Sequence, residues 1–281
     1  MGLTGQRKQP GRTKRRTEGR RSSALSRGAK ERRGIQSADK AAEVLMALVE
    51  AGQGAQLRDL AKTINMPPSL VHRYLASLIA SGLAIQNKAT GLYDLGPNAI
   101  RIGASALARV DPLRLASEAM PELVAATGLT ALLTVLGDRG PTIIRWERSY
   151  VPFFTTLAVG SVLPLTGSAS GRAILAFTPA RIRDRLIASN APGHGDDSVN
   201  KLAERFARIR KRGYDTTDST VVPGLAAISA PILDLQNEAI AAVTLVGART
   251  DVGQAGSQAI ERLLETTAKV SRACGSRRSS S

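Results

Sequence analysis

Residues 57–81 constrain this chain more than any other stretch. Leu57, Leu60, Ala61 and Ile64 recur at the spacing of one helix face, and Val71, Leu75, Leu78 and Ile79 form a second. Between them stand Asn65, Met66, Pro67 and Pro68. Proline fixes φ and needs no amide partner, so this pair suits a turn and the first position of a new helix. Two short helices joined by a tight turn make a helix-turn-helix. Pro68 opens the second helix, and Ser69, His72, Arg73 and Ser77 occupy its polar face. Hydroxyl, imidazole and guanidinium groups at that spacing reach base edges and phosphates. Amphipathic helix pairs also occur in folds that never touch DNA, so the flanks decide.

Upstream, Ala41, Val44, Leu45 and Leu48 make a third apolar stripe, with Ser37 or Asp39 as its cap and Gly52 as its stop. Downstream, the apolar residues of 83–85 and 92–93 flank a turn-forming stretch, 87–91, which reads as a small hairpin. Three helices followed by a hairpin are a winged helix-turn-helix, whose second motif helix enters the major groove while the wing lies by the backbone. Arg73 can bridge two acceptors on guanine, Ser69 can bond phosphate or base, and neutral His72 can donate or accept. The plainer reading makes Arg73 a phosphate clamp and His72 a solvated side chain. Tyr74 and Tyr93 read as packing residues.

At 281 residues the chain has room for two domains of ordinary size. With only 3% aromatic residues, its cores must be built of Leu, Ile, Val and Ala. The net charge of +16 implies a polyanionic partner, or at least affinity for one. That charge is concentrated: residues 1–34 hold twelve Lys and Arg against Glu18 and Glu31 alone. This basic arm has few large apolar residues and is expected to be disordered. It either seeks phosphates or is a dispensable tail. Lacking an apolar h-region, it is not a secretory signal. A single cysteine, Cys274, excludes an internal disulfide and fits a reducing cytoplasm. With His72 and His194 the only histidines, no His/Cys metal cluster is available, and no cofactor is expected. No apolar run is long enough to span a membrane.

Beyond the hairpin, the pattern predicts a linker helix over 97–112, a helix over 113–127 closed by Gly128, and β-rich runs at 130–136, 142–146 and 153–159. A Gly- and Ser-rich loop then opens a helix near 170. Helices follow at 179–188 and 199–212, a strand pair at 228–233 and 239–246, and a closing helix at 258–272. The fold class is α+β, with helices packed on a mostly antiparallel sheet over 113–272, and 273–281 as a disordered tail.

Three segments, Ser37-Ala-Asp-Lys-Ala-Ala, Pro68-Ser-Leu-Val-His-Arg73 and Gly91-Leu-Tyr-Asp-Leu-Gly96, resemble the winged-helix domain of IclR-type transcriptional regulators. Leu163-Pro-Leu-Thr-Gly-Ser-Ala-Ser-Gly-Arg-Ala-Ile-Leu-Ala176 and Gly224-Leu-Ala-Ala-Ile-Ser-Ala-Pro-Ile-Leu-Asp234 resemble that family's effector domain. The resemblance covers residues 35–272. It implies a DNA-binding domain over 35–96 and a GAF-like effector-binding domain over 113–272. It further implies a small organic or aromatic acid as effector, and a homodimer or tetramer on a pseudo-palindromic operator. Carried over by position, the effector site comprises Ser170, Gly171, Asp218, Leu225, Ala227, Thr244 and Val246. Asp218 sits awkwardly with an anionic ligand, and Arg172 replaces a Lys common in the family. The amides of 167–173, at a helix start, would favour a carboxylate.

Two other classes compete with a regulator. A non-specific nucleic-acid-binding protein would bind through its arm, with a steep salt dependence and no preferred sequence. A hydrolase would need a nucleophile and base, for which Ser170 and His194 are the candidates, yet no Lys partner sits near the Ser motif. A regulator, not an enzyme, is the expectation.

Overall fold

A computed structural model describes residues 35–190 and 199–278. The basic arm, the loop carrying His194 and the last three residues lie outside the described residues. The chain divides into two compact units, which meet in sequence between Ala99 and Ile100.

The N-terminal unit holds α1 (Gln36–Ala51), α2 (Leu57–Thr63), α3 (Pro68–Ala80), β1 (Ala84–Gln86) and β2 (Tyr93–Leu95). Its core joins Val44 and Leu48 of α1, Leu60 of α2, and Val71, Leu75 and Leu78 of α3, with Tyr93 from the hairpin. Ile79, expected on the inner face, is exposed. The α1 N-cap is Ile35, with no side-chain cap, in place of Ser37 or Asp39. Gly52 does end α1, at a φ of 71° that favours glycine. Asn87 Oδ1 accepts from the amides of Ala89 and Thr90 and closes the wing tip. Ala55 bridges to Tyr93, tying the wing to the stretch before α2.

The C-terminal unit contains most of α4 (Pro97–Leu107), then α5 (Pro112–Thr127), β3 (Thr130–Gly137), β4 (Gly140–Glu147), α6 (Ala169–Leu175), α7 (Ala180–Ser189), α8 (Val199–Arg212), β5 (Asp215–Asp218), β6 (Leu225–Leu233), β7 (Ala239–Ala248) and α9 (Arg249–Ala273). Asp111 Oδ1 caps α5 by accepting from the amides of Leu113 and Arg114. The five strands form one sheet in the order β4-β3-β7-β6-β5, and every neighbouring pair is antiparallel.

Strand alternation gives this sheet two different faces. Ala131, Leu133, Ala226, Ile228, Ala230, Val243 and Leu245 pack with α5 and α9 in one cluster. Their neighbours Leu132, Ala227, Ser229, Thr244 and Val246 turn to the other side, where α6 lies against β6 and β7. Both faces are covered, and so these strands read as near-continuous apolar runs with few aromatic residues.

Several expectations are corrected. Residues 153–159 form no strand. They belong to a loop held to β4 by Ile143 N donating to Ser161 O and Gly160 N donating to Ile143 O. The closing helix begins at Arg249, not 258, and is broken at Gly256, whose φ of 45° and ψ of −133° leave the helical region. The described part of the supposed tail is packed: Cys274 and Ser276 are buried, and Ser276 Oγ donates to Asn237 Oδ1 at 2.7 Å. A small residue, two polar hydroxyl-bearing neighbours and two arginines gave no apolar signal, yet Arg278 still stacks on Phe177.

Gly171 sets how closely α6 approaches the segment before it. A Cβ at this position would stand 2.0 Å from Leu165 O, a backbone atom that cannot step aside. Gly171→Ala should therefore destabilise the C-terminal unit by about 1–3 kcal/mol or more. Urea unfolding followed by circular dichroism would show a lowered midpoint, and an unchanged midpoint would refute this contact.

Candidate nucleic-acid interface and ligand pocket

On α3 the structure places Pro68, Ser69, His72, Arg73 and Ser77 all at the surface. With exposed Ala76 they form one strip along the helix, opposite Val71, Leu75 and Leu78, which bury into the core. Met66 and Leu60 fix the turn from below, so the strip sits on a rigid element. Ser77 Oγ donates back to Arg73 O at 3.3 Å, which turns its hydroxyl toward its own helix. Tyr74 is half-buried and Tyr93 buried, both packed in the core as expected. Lys88, at the exposed wing tip, was not singled out by sequence reasoning. Its signal is a lone cation inside the hairpin turn.

The seven residues carried over for the effector site do not all come together. Ser170, Leu225, Ala227, Thr244 and Val246 line a single cavity of about 40 Å³ on the α6 face of the sheet. Thr217, Leu132, Leu157, Leu163 and Val221 complete its walls and were missed. Gly171 is not among the lining residues, and its N–H is taken by Ser168 Oγ at 3.0 Å. That bond caps a helix of seven residues, all buried, so Gly171 N–H is already spent within the turn that had been expected to favour a carboxylate.

Asp218 faces the other way. It pairs with Ala226, whereas Thr217 pairs with Ala227. Adjacent strand residues point to opposite faces, so Thr217 joins the cavity while Asp218 lies on the α9 side. There Asp218 Oδ2 accepts from Arg249 Nε at 3.0 Å. The sequence reading stopped at Tyr214 and did not recognise β5, so it had no register with which to orient these side chains.

Inside the cavity the polar groups form a relay. The hydroxyls of Ser170 and Thr244 are 2.8 Å apart, Thr244 Oγ1 donates to Ser229 Oγ at 2.8 Å, and Ser229 Oγ donates to Val243 O at 3.4 Å. The relay contains no general base and the lining contains no charged side chain. These hydroxyls can orient a ligand's polar group while Leu132, Leu225 and Val246 cover its apolar body. Among the described residues no cluster of three or more His, Cys, Asp or Glu is arranged to hold a metal ion. No described helix is long and apolar enough to cross a membrane.

Arg172 has a structural task beside this cavity. Its Nε donates to Asp215 Oδ2 at 2.6 Å, Nη1 to Thr166 O at 2.6 Å and Nη2 to Thr216 O at 3.2 Å. Asp215 is fully buried and receives Arg205 and Arg212 on its other oxygen, at 3.3 and 2.7 Å.

A family model for the C-terminal domain of IclR bacterial transcriptional regulators matches residues 104–272, and one for the IclR helix-turn-helix domain matches residues 37–88. The chain belongs to the IclR family of bacterial transcriptional regulators. BhcR of Paracoccus denitrificans, an HTH-type transcriptional regulator, is 30% identical, with 78% of this chain and 80% of BhcR covered. The glycerol operon regulatory protein of Streptomyces griseus is also 30% identical, over 76% of this chain and 85% of its own. The crystal structure of Pseudomonas aeruginosa HmgR superposes with a TM-score of 0.73 at 36% identity, covering 87% of this chain and 100% of that one. As in that family, a helix-turn-helix precedes an α+β domain.

Removing the carboxylate from Asp215 would strand the Arg172 guanidinium in a buried site. Asp215→Asn is expected to cost about 3–5 kcal/mol, as for other broken buried pairs. Thermal unfolding of the purified protein would report it as a marked fall in Tm.

Proposed function

We propose that this chain is a sequence-specific DNA-binding transcriptional regulator whose operator affinity is set by a small-molecule metabolite. The observation that carries the reading is the pairing of two features in separate units. An exposed Ser69–His72–Arg73 strip rides on a rigid helix, and a closed, hydroxyl-lined cavity lies inside an α+β domain. Neither feature supports turnover, because the hydroxyl relay has no base.

In the N-terminal unit, α3 enters the major groove. Arg73 and Ser69 contact bases or phosphates, and Lys88 on the wing meets the neighbouring backbone. The arm, with its twelve cations, adds phosphate contacts that any sequence can satisfy.

In the C-terminal unit, the ligand is an organic or aromatic acid with a compact apolar body. Asp218 does not oppose it, since that carboxylate lies on the other face of the sheet. A cavity of about 40 Å³ holds little more than a water. Entry of a metabolite therefore moves a wall. Leu157 and Val221 stand on irregular segments, whereas Thr244 and Ala227 stand on central strands. The irregular walls yield first. Coupling to DNA affinity of about 1–3 kcal/mol suffices for regulation.

The regulator acts as a homodimer, or a dimer of dimers, on a two-fold operator in the cytoplasm. None of the residues of α4 is buried, and Ile100 and Ile102 are exposed. Ile100, Gly103, Ala104 and Leu107 fall on one helix face, which a second copy would cover.

Binding to genomic DNA fragments across a salt series tests this reading, comparing the full chain with one beginning at Gly34. Both should select the same few fragments, with the shorter chain weaker and less salt-sensitive. Arg73→Ala should cost about 1–3 kcal/mol if it reads a base, and relax selection at that position. Absence of any preferred fragment, with all binding lost on truncation, would make the arm the binder and overturn the proposal.

A further inference from the structure

The roomiest of the described cavities is not the one that the family resemblance indicated. A cleft of about 540 Å³ opens on the α9 side of the sheet, between β5 and the first turns of α9. That volume lies in the range of small-molecule sites, about 300–1,000 Å³. We propose that this cleft is a second ligand site, which binds a small organic anion carrying two or more carboxylate or phosphate charges.

The lining sets the ligand's chemistry. Arg172, Arg205 and Arg249 border the cleft, against Asp218 as the one carboxylate among its described lining residues. Thr216 and Thr220 bring hydroxyl groups. Ile228, Val252 and Ile260 supply an apolar wall, which free phosphate would not use and an organic body would. Guanidinium groups bind carboxylate and phosphate oxygens through paired N–H donors, so an excess of them selects multiply charged anions over neutral solutes.

The cleft is kept open by two glycines. Gly253 and Gly256 lie one helical turn apart on its α9 wall, and a Cβ built on either meets no atom within 4 Å. The break at Gly256 separates Arg249–Ala255 from the rest of α9, so this wall stands on its own short segment.

Arg249 joins the cleft to the rest of the unit. Its pair with Asp218 is exposed on both sides and therefore weak, so an anion in the cleft competes with Asp218 for the same guanidinium. Asp218 leads into residues 219–224, from which Val221 and Val222 wall the opposite cavity. Thr217 and Ala226 border both cavities, and only the thickness of the sheet divides them. Anion binding stands independently of the regulator reading; its consequence for the other cavity rests on that reading.

Isothermal titration calorimetry of the full chain tests the site, with citrate and 2-phosphoglycolate as probes and acetate and glycerol as controls. At least one polyanion should bind with a Kd of about 1 mM or tighter, and the controls should not. Gly253→Phe places a ring in the cleft from a position with open space, and should weaken binding about tenfold. Gly253→Ala should bind as the parent does. Arg249→Gln, at an exposed position that tolerates change, should also weaken binding about tenfold and serves if the Phe variant does not fold. Polyanion binding undiminished in a folded Gly253→Phe and in Arg249→Gln would assign the heat to the basic arm and overturn the site. So would the absence of binding by both probes.

Discussion

The contact between Arg172 and Asp215 holds the layers of the C-terminal unit in place. Arg172 belongs to α6 and Asp215 to an edge strand, so their bond fixes the helix to the rim of the sheet. Two further guanidiniums, from Arg205 and Arg212, bring α8 and its end to the same carboxylate. Arg172 and Arg205 also donate to Thr216 O, an acceptor of the outermost strand. An unpaired edge invites another chain, and these side chains occupy it. Both cavities border β5, so their shapes depend on this one anchor. A buried ion pair contributes little net stability compared with apolar packing, but it fixes a register that apolar packing leaves loose.

What the sequence made legible follows the reach of each physical signal. A helix announces its faces within a few residues, because side chains three and four apart share a side. The α3 strip and the core beneath it were therefore readable from spacing alone, apart from Ile79 at the last turn. A strand announces a face only when its register is known. Asp218 and Thr217 are neighbours in sequence and opposites in space, and nothing local in four polar residues marks β5 as a strand. The run at 153–159 has β-forming residues but pairs with no full strand, since β4 offers it only the contacts around Ile143. Gly171 was read as a ligand contact, but its missing side chain serves a close approach to Leu165 O. Sequence shows that a glycine is there; the structure shows which atom requires it.

The near absence of aromatic residues shapes the C-terminal core as well. Ala226, Ala230, Ala241 and Ala242 stand on central strands, and Ala169 and Ala173 on α6, all buried. Small side chains let helix and sheet approach closely, and close packing leaves few voids. This explains why the hydroxyl-lined cavity is so small in spite of its polar floor. Ser170, Thr244 and Ser229 satisfy one another there without a ligand, so the closed form leaves these three hydroxyls paired.

A ligand that enters must compete with that self-satisfied state. Its polar group replaces one hydroxyl bond with another, a nearly neutral exchange, since a net hydrogen bond is worth about 0.5–1.5 kcal/mol. The driving force is then its apolar body against Leu132, Leu163, Leu225 and Val246, at about 25 cal/mol per Å² buried. The cost falls on whichever wall moves. Central strands are held by ladders on both sides, whereas 219–224 is closed chiefly by Ser219 N donating to Leu225 O and Leu225 N donating to Val222 O. Differential affinity for two arrangements of such a loop is what lets a metabolite shift an equilibrium. The same loop begins at Asp218, whose partner Arg249 stands on the segment of α9 before the Gly256 break. The parts of the C-terminal unit that can move are thus contiguous, and they run from one face of the sheet to the other around its β5 edge.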